Sequence, residues 1–375
     1  MCSQEDDCSC LLTSLTRKNE RISQCIKCQS PPCVLIRKDD PALCKTCFIN
    51  NCLHKINTVF GKYKISDKHH SKMALAFSGG QNSSALLQLL LKHNSSIVTT
   101  KRNKSITPKL FHLIESNDSQ SNLELITNIM KNTGFEYHII SMNEISNSDQ
   151  YKWKMTSSSF SSKQRFDDYL RLNLLVNCTR KLDCTCLILG ECSNRVTVKY
   201  LLEIIEGRGN YSSIQTSLMD ERYKDVTIIR PLRDFLAKEL TLFAHFMELE
   251  SITPNDPLTS IILKNPSINT LERLTQDFLA SLQAGGFPST TGTILRTSSK
   301  VVLENDTQVN CSFCHYPICN TESSDDPDKL ATESMKYSFL LSNPSSCSEV
   351  TIPEENDNNL CSSCSLMFKE LSSCT

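Results

Sequence analysis

Four Cys-x-x-Cys pairs stand out in this 375-residue chain, because two thiolates at that spacing can share one metal ion. Cys25 and Cys28 are followed, fifteen residues on, by Cys44 and Cys47. Four sulfur ligands so arranged predict a tetrahedral zinc site, which would supply folding free energy to a module too small for its own core. The plainer alternative is a loose tail of unligated cysteines, with Cys33 and Cys52 to spare. Cys311 and Cys314 pair less closely with Cys361 and Cys364, across 46 intervening residues. A longer loop adds only modestly to the entropy of closure, so a second zinc site is predicted there. His315, Cys319 and Cys347 compete as ligands.

A different chemistry is suggested by "ALAFSGGQNSS", residues 74–84. Ser78, Gly79 and Gly80 follow an apolar strand, then come Asn82 and a helix starting near Ser83. Glycines let backbone N–H groups approach an anion, and the helix points its positive end at it. A phosphate loop and an ordinary βα turn both fit this motif, so ATP binding is left open. Two basic segments could neutralise RNA phosphates. Residues 54–72 contain Lys62, Lys64, Lys68 and Lys72, and residues 85–114 contain Lys101, Arg102 and Lys104. A solvated face is the alternative for each. Cys178, Cys184, Cys186 and Cys192 are read as buried apolar side chains.

These residues need a scaffold, and the middle of the chain supplies the pattern for one. Short β-type runs at 73–77, 109–114, 135–141, 185–190 and 226–230 alternate with helical runs at 83–93, 121–134, 165–182 and 195–207. Strands separated by helices of this length predict βαβ units in a doubly wound, mostly parallel α/β sheet, with near-continuously apolar strands. Further helices are expected at 230–250, capped by Asp234, and at 266–286, closed by Gly-Gly. The cysteines lie outside this core, apart from four in 178–192. The division is therefore a flexible N-terminus (1–22), a zinc-ribbon-like module (23–55), the α/β domain (70–290) and a Cys-rich C-terminal module (305–375). A disordered insertion is expected at about 320–358. A formal net charge of −1 means that any nucleic-acid contact must come from a local patch. No apolar run approaches the ~18 residues of a membrane span, and no secretion signal is visible, so the reading is cytoplasmic.

The Cys-x-x-Cys module, "SGG" on a strand–helix turn, "GRG" (207–209), "DERYKDVTIIRPLRD" (220–234) and late Cys-x-x-Cys pairs occur in that order. In this the chain resembles the cytoplasmic tRNA 2-thiolation protein 2 family and, more distantly, the PP-loop ATP pyrophosphatases, with a HUP-like Rossmann variant as the implied fold. The likeness runs from about residue 23 to the end and is weakest in 141–164 and 315–360. It implies a cytoplasmic protein paired with a catalytic PP-loop sister subunit as a heterodimer. Such a pair places sulfur on the wobble uridine of the lysine, glutamine and glutamate tRNAs. The sulfur comes from the thiocarboxylate of a ubiquitin-related modifier, and ATP adenylates uridine C2 so that sulfur displaces AMP.

Departures from the family pattern bear on chemistry. Active PP-loop thiolases carry SGGxDS, and Asn82 stands where their aspartate would be. Their catalytic Cys-x-x-Cys corresponds here to "SSSFSSKQRF" (157–166), and no cysteine occurs from 193 to 310. "GECSNR" (190–195) lacks the histidine and acid pair of the turn in active relatives. A hydroxyl cannot replace a thiolate as sulfur carrier or soft-metal ligand. The resemblance therefore implies a degenerate subunit without catalytic residues of its own, which supports its partner and helps hold tRNA. An active ATP-dependent thiolase, and a zinc-dependent RNA- or protein-binding scaffold, are the competing readings.

Overall fold

The computed structural model describes residues 24–37, 40–63, 72–100, 105–114, 119–142, 160–252, 270–301, 309–318 and 360–372. The chain divides into two compact units. One comprises Met1–Ser71, Gly79–Thr107 and Phe235–Thr253; the other comprises Lys72–Ser78, Pro108–Asp234 and Pro254–Thr375.

In the first unit three helices pack together: α1 (Lys45–Tyr63), α2 (Gln81–Thr100) and α7 (Ala237–Phe246). Phe48, Cys52, Ile56 and Phe60 recur every four residues on α1 and are buried, so one stripe faces the core. Phe48 meets Phe246 edge-on at 5.9 Å. Helix α1 carries part of the stretch read as a basic segment. The expected cap at Asp234 is not formed: α7 begins at Ala237, and Asp234 pairs with Arg233 at 3.1 Å. Leu232 and Phe235 are buried and hold the chain in turns there. The helix start is served by Glu239, whose Oε2 accepts from Leu236 N at 2.8 Å.

The second unit is built on six strands: β1 (Met73–Ala76), β2 (Lys109–Ile114), β3 (Tyr137–Ser141), β4 (Cys186–Ile188), β5 (Met219–Asp220) and β6 (Thr227–Ile229). Their order is β3-β2-β1-β4-β6-β5, with every pairing parallel except β5–β6. The predicted doubly wound α/β sheet is thus present. Its strand order reverses beside β1, the position at which open sheets of this kind bind ligands. Ala74, Phe111, Leu113, Leu187 and Ile228 share one core with Leu174, Val176 and Cys178. Strand β3 departs from the continuous apolar expectation, with Ile139 37% exposed, because it is the sheet edge. Two-residue β5 carries too little pattern to be read from sequence.

Helices α3 (Gln120–Asn132), α4 (Phe160–Lys181), α5 (Ser193–Ile205) and α6 (Ser212–Thr216) follow the strands. Then come α8 (Leu271–Ala284), α9 (Thr290–Ser298) and α10 (Ser362–Ser372). Thr270 caps α8 by accepting from Arg273 N at 3.2 Å, and Gly286 closes it at φ 101°, as the Gly-Gly signal predicts. The N-terminus (1–22) and the whole 320–358 insertion lie outside the described residues. Among the described residues, no helix is long and apolar enough to cross a membrane.

Candidate functional site

The first cysteine set is assembled by a turn and a helix start. Cys25 N donates to Ser30 O and Gln29 N to Cys25 O, both at 2.9 Å, with Gln29 at φ 60°. That turn presents Cys25 and Cys28, while Cys44 and Cys47 flank the start of α1. Cys28 Sγ lies 3.5 Å from Cys44 Sγ, and all four sulfurs fall within 4.8 Å of one another. Cys33 and Cys52 stay out: Cys33 is exposed, and Cys52 is buried, its thiol pushed up to about 12 by that burial.

The second set repeats the turn. Cys311 N donates to Tyr316 O at 2.7 Å and His315 N to Cys311 O at 3.0 Å, with His315 at φ 60°. Its partners come from Cys361 and Cys364 at the start of α10; Cys314 Sγ lies 3.6 Å from Cys361 Sγ. The four sulfurs again lie within 4.8 Å. His315 does not join them; its ring stands 4.6 Å from that of Tyr223. Cys319 and Cys347 lie outside the described residues.

Either set could hold a metal ion, and the sulfur chemistry fits one. Cys25 is held down to about 6 by the backbone N–H of Cys44, burial opposing it, whereas Cys47 is pushed up to about 12 because it donates to Cys28 and Cys44. Cys311 likewise falls well below its ordinary range through hydrogen bonds from Cys314, Cys361 and Cys364, while Cys314 rises well above it. Four sulfurs this close cannot all be anionic by themselves, and a divalent cation removes the conflict. The 178–192 cysteines behave as read. All four are buried, and burial pushes the Cys178 thiol up to about 12.

The glycine turn is fixed by hydrogen bonds on both sides. Phe77 N donates to Phe111 O at 2.8 Å, and His112 Nδ1 donates to Phe77 O at 2.8 Å, fixing the end of β1. Ser78 is exposed and Gly79 sits at φ 74°, a conformation that favours glycine. Helix α2 starts at Gln81, two residues earlier than expected, which puts Asn82 inside its first turn. Ser83 Oγ donates to Gly80 O at 2.8 Å. Lys62 and Lys72 are exposed, whereas Lys64, Lys68, Lys101, Arg102 and Lys104 lie outside the described residues.

Within 157–166, the stretch that the family resemblance sets against the catalytic Cys-x-x-Cys, two described serines have structural partners. Ser161 Oγ accepts from Leu271 N at 3.1 Å, and Ser162 Oγ donates to Glu370. Gln164 Nε2 donates to Glu272 Oε2 at 2.6 Å, joining α4 to α8 again. In the "GECSNR" turn, Glu191 is committed to Lys199 at 2.5 Å and Arg230 at 2.7 Å.

Sequence reading missed a network of buried charges around the second cysteine set. Arg230 also reaches Asp220 at 3.1 Å, and Asp220 holds Arg222 at 2.6 Å. Arg208, from "GRG", pairs with Glu203 and with Glu206 at 2.8 Å, and Arg165 joins Glu206 at 2.7 Å. The signal was present as the density of arginines and acids in "GRG" and "DERYKDVTIIRPLRD", but not the pairing.

Comparison with known proteins accords with this geometry. Residues 50–253, more than half of the chain, match the family model of the PP-loop domain. The chain belongs to the PP-loop family. The resemblance to cytoplasmic tRNA 2-thiolation protein 2 is also borne out, because residues 270–366 match the model of that description. The protein of that name from Xenopus tropicalis is 25% identical, over 80% of this chain and 72% of the relative. Its counterpart from Dictyostelium discoideum is 32% identical, over 75% of this chain and 56% of the relative. Among solved structures, the U34-tRNA thiolase NcsA from Methanococcus maripaludis, with its 4Fe-4S cluster, matches with a TM-score of 0.59. At 19% identity, over 78% of this chain and 96% of NcsA, that likeness establishes the fold alone.

Proposed function

We propose that this chain is the non-catalytic PP-loop subunit of a cytoplasmic complex that 2-thiolates the wobble uridine of the lysine, glutamine and glutamate tRNAs. The observation that carries it is the use made of Ser161 and Ser162. Within 157–166, the stretch that the family resemblance sets against the catalytic Cys-x-x-Cys, these hydroxyls bond to Leu271 N and Glu370, which supports a structural use of the described serines. Adenylation and sulfur transfer then belong to a sister PP-loop subunit, fed by a thiocarboxylated ubiquitin-related modifier. This chain contributes its fold and tRNA contacts, among which Lys62 and Lys72 are exposed candidates. The modules at 23–55 and 305–375 act as metal-stabilised supports of the α/β domain.

Zinc is the metal this reading assigns to both cysteine sets. One tetrahedral zinc, about 2.3 Å from each sulfur, sets the sulfurs about 3.8 Å apart. The distances of 3.5 and 3.6 Å between sulfurs suit that ion. A 4Fe-4S cubane spreads its four thiolates around four irons and needs a wider set.

Thiolation assays with ATP, tRNA and sulfur donor give the test. The chain alone should show no activity, and the pair with the sister should be active. Replacing the sister's catalytic cysteines should abolish that activity. Turnover by the chain alone, comparable with the pair, would overturn the proposal.

A further inference from the structure

The turn that presents Cys311 and Cys314 is held from outside by side chains that the chemistry of thiolation does not require. Asn173 Nδ2, on α4, donates to the Phe313 carbonyl at 3.0 Å. Arg222 Nη1 donates to the Cys314 carbonyl at 3.4 Å. Both donors are themselves fixed. Tyr223 Oη donates to Asn173 Oδ1 at 2.6 Å, and Asp220 accepts from Arg222 Nε at 3.0 Å and Nη2 at 2.6 Å. The Arg222 guanidinium also lies over the Tyr316 ring, 4.4 Å from its centroid, and Tyr316 Oη donates to Gln215 at 2.7 Å.

These two carbonyls belong to the second ligand and to the residue before it, so holding them sets the direction in which the Cys314 side chain leaves the turn. Charge makes a second argument. A divalent ion with four thiolates carries a formal charge of −2, and Cys311, Cys314 and Cys364 are 0% exposed. A buried anion of that size needs cations close by. The ion-pair chain Lys199–Glu191–Arg230–Asp220–Arg222 has three cations to two carboxylates, and it ends on the Cys314 carbonyl.

We propose that Asn173 and Arg222 are positioning residues of the second metal centre, fixing its ligand turn and bringing uncompensated positive charge to a buried tetrathiolate. This rests on the reading that the centre holds zinc. It also gives "DERY" (220–223) a role apart from nucleotide chemistry: three of its four residues, Asp220, Arg222 and Tyr223, hold the turn directly or through one another.

The test is zinc release from the full chain to a chromophoric chelator. Two zincs should leave in two phases, assigned with Cys25→Ser/Cys28→Ser and Cys361→Ser/Cys364→Ser. Arg222→Lys keeps the charge but loses the planar fork, and Asn173→Asp turns a donor toward the carbonyl into an acceptor. Each should speed release from the second centre about ten- to a hundredfold, leaving the first-centre phase unchanged. In cobalt-substituted protein, the thiolate-to-metal absorption of the second centre should shift. Second-centre release within about twofold of wild type would overturn the proposal. Equal acceleration of both centres, which reports general loosening, would do the same. Should Arg222→Lys not fold, Asn173→Asp decides alone. A wild-type chain without a second zinc would take down the zinc reading itself, and this proposal with it.

Discussion

Replacing Asp220 by alanine should cost the sheet-bearing unit about 3–5 kcal/mol, because it takes the carboxylate from buried Arg222 and leaves buried Arg230 with Glu191 alone. Asp220 is 0% exposed and accepts from both Arg222 and Arg230. A whole domain has a margin of about 5–15 kcal/mol, so this single change should move the urea midpoint far. Asp225 provides the comparison. It pairs with Arg180 through two bonds of 2.6 and 2.7 Å, a better geometry than Asp220–Arg230, but its side chain is 55% exposed. Solvent screening limits such a pair to about 0–1 kcal/mol, so Asp225→Ala should be nearly silent. Similar shifts from the two substitutions would refute a stabilising role for the buried network.

The same residues set a pH dependence. Burial pushes the Asp220 and Glu191 carboxyls upward, but their cationic neighbours outweigh it, Arg222 and Arg230 for Asp220, Lys199 and Arg230 for Glu191. Both therefore titrate below the ordinary carboxylate range when folded. A depressed folded pKa stabilises fully above the unfolded value, about pH 4, and loses that contribution as pH falls toward the folded one. Stability measured downward from about pH 5 should decline, and the decline should be shallower in Asp220→Ala.

What could be read from the sequence follows from how local each signal is. Central strands such as β2 declare themselves because both faces are buried, and Lys109–Ile114 was bounded to the residue. Edge strand β3 breaks the pattern because one face meets solvent. Both cysteine sets were legible because each half carries its own Cys-x-x-Cys turn, so the 46-residue gap did not hide the second. Asp234 looked like a cap because a polar residue precedes a helical pattern, yet Leu232 and Phe235 are buried and delay the helix. Partnerships across the fold leave no local trace. Glu191 and Arg230 are 39 residues apart, and Asn173 and Phe313 are 140 apart; nothing in spacing or periodicity joins them. The serines at 161 and 162 gave their type to sequence reading, but their acquired structural partners only to the fold.

Loss of the second cysteine set should have the larger structural effect, and Cys361→Ser/Cys364→Ser isolates it. Helix α10 has eleven residues, too few to be helical alone in water, so something must hold it. Besides the hydrogen bonds from Ser162 to Glu370 and from Ser363 to the Glu206 carbonyl, two larger forces are available. Met367 and Leu371 are buried beside Phe166, whose ring stacks on Phe313 at 5.3 Å, while Phe368 meets both rings edge-on at 5.9 and 5.0 Å. Burying side chains of this kind contributes about 1.5–3 kcal/mol each, before the entropy of ordering the helix is subtracted. A structural zinc contributes about 10–16 kcal/mol in small modules, so the metal decides. The double substitution should remove about one zinc per chain and bring the α10 amides close to unprotected exchange, while β1 and β2 amides remain protected. Exposed Phe166, Phe313 and Phe368 should then bind a hydrophobic dye. If α10 kept its protection after the zinc was lost, the aromatic contacts would be sufficient, and the metal would not be what fastens this end of the chain to the sheet-bearing unit.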